Sequence, residues 1–167
     1  MVSASPSLLP IHKLVLAEKA IAYRTIRRHT LPMPADALDC QDKVKALLGP
    51  LLDERPVEAL YALALNSSGD LVGLLKVAEG TVDRAACYPR ELVSFLLIET
   101  NATALILAHN HPGGRCEASS EDIALTNRLV EILKPLSVRL LDHLVYATGR
   151  PGRSGEWYSL RTAGILS

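Results

Sequence analysis

The hydrophobic pattern of this chain predicts a sheet with helices packed against it. Residues 59–65, ALYALAL, are apolar throughout and few, which suits a strand covered on both faces. NSSGD at 66–70 is a turn, and LVGLLKVAEG resumes as a second strand, so the two predict a hairpin. Pro89 suits the first turn of a helix in which Leu92, Leu96 and Glu99 mark the spacing. Residues 103–108 predict a third strand. A further helix starts at Ser119, buries Ile123, Leu129, Val130 and Leu133, and ends at Pro135. Residues 137–147 form another strand, and the tail holds a loop and a last short strand. Upstream, residues 1–9 are a loose arm, 11–16 and 21–26 pair as a hairpin, and the two prolines of 30–36 make a linker. Asp39 caps a helix over 40–52 that presents Val44, Leu47, Leu48 and Leu51. This order predicts an α/β fold of the mixed α+β kind, a mixed sheet flanked by helices.

The chemistry concentrates in TALILAHNHPGGRCEASSED, residues 103–122. His109 and His111 are spaced i,i+2, so on a strand both imidazoles leave one face, whereas on a helix they would diverge by roughly 200°. Pro112, Gly113 and Gly114 stop the strand, and a carboxylate returns at Asp122. Two imidazoles and a carboxylate, with water in a fourth position, are the donor set of a catalytic zinc site. The plainer reading is a polar turn followed by a helix start, since Ser119-x-x-Asp122 is close to a capping box. The order of ligands, turn and helix start favours the metal.

His109-x-His111-Pro112 followed by Ser119-x-x-Asp122 resembles the JAMM (MPN+) zinc metalloprotease signature. The fuller string, through Asp122, Thr126 and Leu129, is similar to the RadC-like JAB domain, a bacterial branch of that superfamily. PRE at 89–91, GT at 80–81 and LDH at 141–143 match the same branch in order, over about residues 38–167. The branch usually has Ser-Gly after HNHP and Pro before the Ser; Gly113 and Ala118 depart from that and are expected to alter the loop, not the ligands. The resemblance implies a JAB/MPN-like mixed sheet flanked by helices, with residues 37–167 as the catalytic domain behind an arm and hairpin at 1–36. It also implies that Ser119, besides capping its helix, stabilises an oxyanion.

A zinc hydrolase needs a carboxylate that moves protons without being a ligand. Glu117 and Glu121 would have to turn inward from a solvated loop and helix start, and Glu91 and Glu99 belong to a helix. Glu58 stands after Pro56 and directly before the apolar strand, a costly place for a charge without a partner. By that position it also matches the glutamate of the JAMM pattern, and is expected to be the general base. His143, in the alternation Leu141, His143, Val145, reads either as a partner orienting a metal-bound imidazole or as a satisfied core histidine.

Composition narrows the alternatives. With 167 residues, one domain with a sizeable core is expected. Net charge is zero and aromatics are 4%, which argues against a broad phosphate-binding surface and against stacking platforms for single-stranded nucleic acid. Nucleic-acid binding is therefore expected to be weak at most; the basic cluster Arg24, Arg27, Arg28 and His29 reads as solvated surface. Cys40, Cys87 and Cys116 lack CxxC spacing and read as reduced cytoplasmic thiols. No apolar run approaches the ~18 residues of a membrane span. His12 and His29 read as surface residues. The expected function is zinc-dependent hydrolysis of a peptide or isopeptide amide bond in a protein or peptide substrate. The alternatives are a nucleic-acid-associated accessory domain in DNA repair or mobile elements, and a small-molecule amidase.

Overall fold

In the computed structural model, which describes residues 14–19, 26–31, 38, 41–53, 55–80, 89–148 and 155–166, seven strands join one mixed sheet. In chain order they are β1 (Leu14–Lys19), β2 (Ile26–Leu31), β3 (Glu58–Leu65), β4 (Leu71–Gly80), β5 (Ala104–His111), β6 (Arg139–Ala147) and β7 (Glu156–Ser159). Their spatial order is β2-β1-β4-β3-β5-β6-β7. The helices are α1 (Gln41–Leu52), α2 (Pro89–Ser94) and α3 (Ser120–Leu133). β3 to β7 with these three helices form the predicted α/β arrangement. β5 and β6 are parallel and joined through α3, whereas β3 is antiparallel to both β4 and β5.

Helices cover both faces, which explains the unbroken apolar runs of β3 and β5. On one face Val44, Leu48 and Leu52 of α1 pack on Tyr61, Leu63, Ile106 and Leu144. On the other, Leu92, Phe95 and Leu96 join Leu129 and Leu133 of α3 over Ala62, Leu105 and Leu107. Ile123 and Val130, expected to be buried, are half-buried instead. They close a smaller cluster with Val145, Leu160 and Leu166, because the chain's last turn covers that side of α3 only in part.

Several boundaries differ from the expectation. The first two strands do pair antiparallel, but at 14–19 and 26–31 rather than 11–16 and 21–26, and β1 adds in parallel to β4. The apolar pattern of that segment is too short to fix a register that a distant strand decides. β5 runs to His111 instead of stopping at 108, because β6 pairs with it through Asn110↔Tyr146 and His111↔Ala147. β6 itself begins at Arg139, after Ser137 adopts a left-handed backbone. Gln41 opens α1, while Asp39, its expected cap, lies outside the described residues, as do His12, Arg24, Cys40 and Cys87.

The helix begun at Pro89 changes to one π turn at Phe95–Glu99. Thr100 ties it off, its hydroxyl donating to the carbonyls of Phe95 and Leu96. This turn presses Phe95 and Thr100 onto Gly73 of β4. A Cβ there would lie 2.5 Å from Thr100 Cγ2 and 2.7 Å from Phe95 Cζ. Gly73→Ala is therefore expected to lower stability by about 1–3 kcal/mol through overpacking. Urea unfolding measures it, and an unchanged midpoint would mean that the Phe95 ring has room to move.

Candidate metal centre

β5 carries His109 and His111 out of the sheet on the face that α3 covers. The strand stops in the turn His111–Gly114, closed by Gly114 N–H to His111 O at 3.0 Å. Gly114, at φ 75°, holds the left-handed conformation that glycine adopts without strain. A Cβ on Gly113 would meet nothing within 4 Å, so a serine would fit the same loop. The loop also orients its histidine: His111 Nδ1 donates to Arg115 O at 3.0 Å, leaving Nε2 for the cleft.

Asp122 arrives by the helix start. Ser119 is the N-cap of α3, and the capping box is complete with Asp122 at its third position. Asp122 N–H donates to Ser119 Oγ at 3.1 Å, while Asp122 Oδ2 accepts from Ser119 N–H at 2.8 Å and from the Ser119 hydroxyl at 2.6 Å. Those bonds turn the carboxylate toward the strand. Oδ1 lies 3.2 Å from His109 Nε2, and Oδ2 lies 3.4 Å from His111 Nε2. The two imidazole Nε2 atoms are themselves 2.9 Å apart.

Glu58, the first residue of β3, completes the group. Its Oε1 is 3.9 Å from His109 Nε2, set back from the other three. One donor atom from each of Glu58, His109, His111 and Asp122 falls within 4.8 Å of the rest, so the four residues can hold a metal ion. Donors about 3.3 Å apart are what bonds of ~2.05 Å in a tetrahedron require. The separations of 2.9 to 3.4 Å among His109, His111 and Asp122 bracket that value.

The electrostatics follow from this crowding. Burial pushes the Asp122 carboxyl up, but the adjacent His109 and His111 imidazoles and the Ser119 hydroxyl prevail and hold it well below the usual carboxylate range. Asp122 raises His111 through their hydrogen bond, against the lowering effect of burial. His143 is wholly buried, and desolvation with the nearby His109 drives its imidazole down to about 3. It contacts His109 Nδ1 at 2.9 Å and Thr126 Oγ1 at 2.7 Å, so it touches both the site and the core. The cleft of about 740 Å³ above the four residues is also lined by Leu60, Arg115, Ser119, Leu125 and Arg128. Glu117, Glu121 and Glu99 are exposed. Burial pushes the Cys116 thiol up, which suits a passive loop residue.

One site residue had no role in the sequence reasoning. Asn110, between the two histidines, points to the opposite face and is fully buried. Its Oδ1 accepts Ala59 N–H at 2.8 Å, and its Nδ2 donates to Val57 O at 3.1 Å. These are the backbone groups on either side of Glu58. The β3–β5 ladder ends at Leu60↔His109, and beyond it the Asn110 side chain takes the place of a strand partner. The signal available in the sequence was an amide flanked by two ligands at the end of an apolar strand, where a buried polar group needs backbone partners.

A family model described as the RadC-like JAB domain matches residues 38–165, and the chain belongs to that family. It is 45% identical over 129 residues to a UPF0758 protein of Alcanivorax borkumensis, covering 77% of this chain and 54% of that one. A UPF0758 protein of Halorhodospira halophila is 39% identical over 153 residues, covering 92% and 62%. The chain thus spans between half and two thirds of the length of these relatives. Among the described residues no helix is long and apolar enough to cross a membrane.

Asn110→Ala would strand the buried amide of Ala59 and the carbonyl of Val57. A loss of about 1–3 kcal/mol in urea unfolding is expected, with faster hydrogen exchange at the Ala59 amide. Wild-type stability and exchange would show that the strand holds Glu58 without the asparagine.

Proposed function

We propose that this domain is a zinc-dependent hydrolase that cleaves a peptide or isopeptide amide bond, with His109, His111 and Asp122 as the ligands. The observation that carries the reading is the geometry of four donors of which one is set back. Three approach tetrahedral spacing, while Glu58 stays 3.9 Å from the nearest imidazole nitrogen. A structural zinc site would use all four positions, and a catalytic one leaves the fourth open. Zinc bound there would polarise a carbonyl and bring the pKa of water toward ~7.

The residues of the chain do the remainder. Glu58, with its side chain 18% exposed at the cleft, accepts the proton of the attacking water and delivers it to the leaving amine. Ser119 sits at the rim beside Asp122, where its hydroxyl can turn from the Asp122 carboxylate toward a developing oxyanion. Leu60 and Leu125 supply an apolar wall for an extended substrate. The RadC-like JAB family membership supports the same chemistry.

Elemental analysis of purified protein is expected to give about one zinc per chain. His109→Ala, His111→Ala and Asp122→Ala should each lower it sharply. Glu58→Gln should keep the zinc while turnover on linear or isopeptide-linked peptides falls by ~10²-fold or more. Full zinc in the triple variant would move the site elsewhere, and wild-type turnover in Glu58→Gln would remove Glu58 as the base.

A further inference from the structure

Thr126 lies one helical turn after Asp122 on α3 and is fully buried with His143. Its hydroxyl has one hydrogen, and that hydrogen has a fixed destination. Oγ1 is 2.6 Å from the main-chain carbonyl of Asp122, which can only accept. In the 2.7 Å contact with His143 Nδ1, the hydroxyl oxygen therefore accepts and the ring nitrogen donates. A neutral imidazole with its hydrogen on Nδ1 carries its lone pair on Nε2. His143 is wholly buried, and burial disfavours the charged imidazolium. His143 Nε2 meets His109 Nδ1 at 2.9 Å, so there His109 is the donor. His109 is left with its lone pair on Nε2, the nitrogen 3.2 Å from Asp122 Oδ1 and 2.9 Å from His111 Nε2.

We propose that the chain Asp122 carbonyl–Thr126–His143 fixes the tautomer of His109 and so makes its Nε2 a metal donor. Thr126 and His143 are positioning residues in this account, and the inference rests on the metal reading above. Direction is what separates it from a core histidine that merely has partners. If the Thr126 hydroxyl donated to His143, every hydrogen in the chain would shift by one place. His109 would then carry its hydrogen on Nε2, where it blocks a metal. The device also couples two ligands through one turn of helix. The residue whose carboxylate faces the metal position supplies, through its carbonyl, the acceptor that orients His109.

Long-range proton–nitrogen correlation spectra of protein labelled with nitrogen-15 in histidine report each tautomer directly. The metal-free protein is expected to show His143 protonated on Nδ1 and bare on Nε2; the opposite tautomer would overturn the proposal. Zinc affinity by chelator competition is the second readout. Thr126→Val keeps the volume without the hydroxyl and should bind zinc about 10- to 100-fold more weakly, while Thr126→Ser should stay close to wild type. Equal affinity in Thr126→Val and wild type would also overturn it. A wild-type protein that takes up no zinc would refute the metal reading instead, and the tautomer measurement, which needs no metal, would still decide the relay.

Discussion

The cleft depends on where β5 parts company with its two neighbours. β6 accompanies it to His111, whereas β3 releases it after Leu60↔His109. The first pairing extends the strand far enough for two imidazoles to leave one face. The second departure opens the space that Glu58 enters, and Asn110 keeps that opening from fraying by bonding the backbone on both sides of Glu58. A one-residue slip of β5 would send both imidazoles to the α1 face, against Ala59 and Tyr61, and turn Asn110 into the cleft. Burying those imidazoles without partners would cost several kcal/mol, so the alternation of this strand and the site geometry are a single constraint.

The start of α3 serves both stability and chemistry with the same few bonds. A capping box satisfies orphan amides at a helix N-terminus. Here the carboxylate that closes the box is Asp122, and the bonds from Ser119 aim it at the histidines. One turn later Thr126 returns the helix backbone to His143 and hence to His109. Removing the cap would loosen the helix and the site together. The positive end of the helix dipole also favours the anionic form of this carboxylate.

Much of the site was legible because it is written locally. The i,i+2 histidines, the Pro-Gly-Gly stop and the Ser-x-x-Asp start each have a short-range physical reason, and the structure brings His109, His111 and Asp122 together with Glu58, the expected base. The continuous apolar runs of β3 and β5 likewise announced strands covered on both faces. What escaped depends on distant partners. The reach of β5 to His111 is set by β6, the parallel addition of β1 by β4, and the π turn by the fit of Phe95 and Thr100 over Gly73. Asn110 was opaque for the same reason, since its partners lie 51 and 53 residues away in sequence. His143 was ambiguous because the alternation that placed it beside His109 is also that of an ordinary core strand.

Anomalous diffraction at the zinc absorption edge, from crystals grown with zinc, tests the central claim most directly. A single peak is predicted at ~2.0–2.1 Å from His109 Nε2 and His111 Nε2 and ~2.0–2.2 Å from an Asp122 oxygen, with Glu58 beyond bonding distance. A peak at Cys116, or one that includes Glu58 as a fourth ligand and closes the site, would contradict the account.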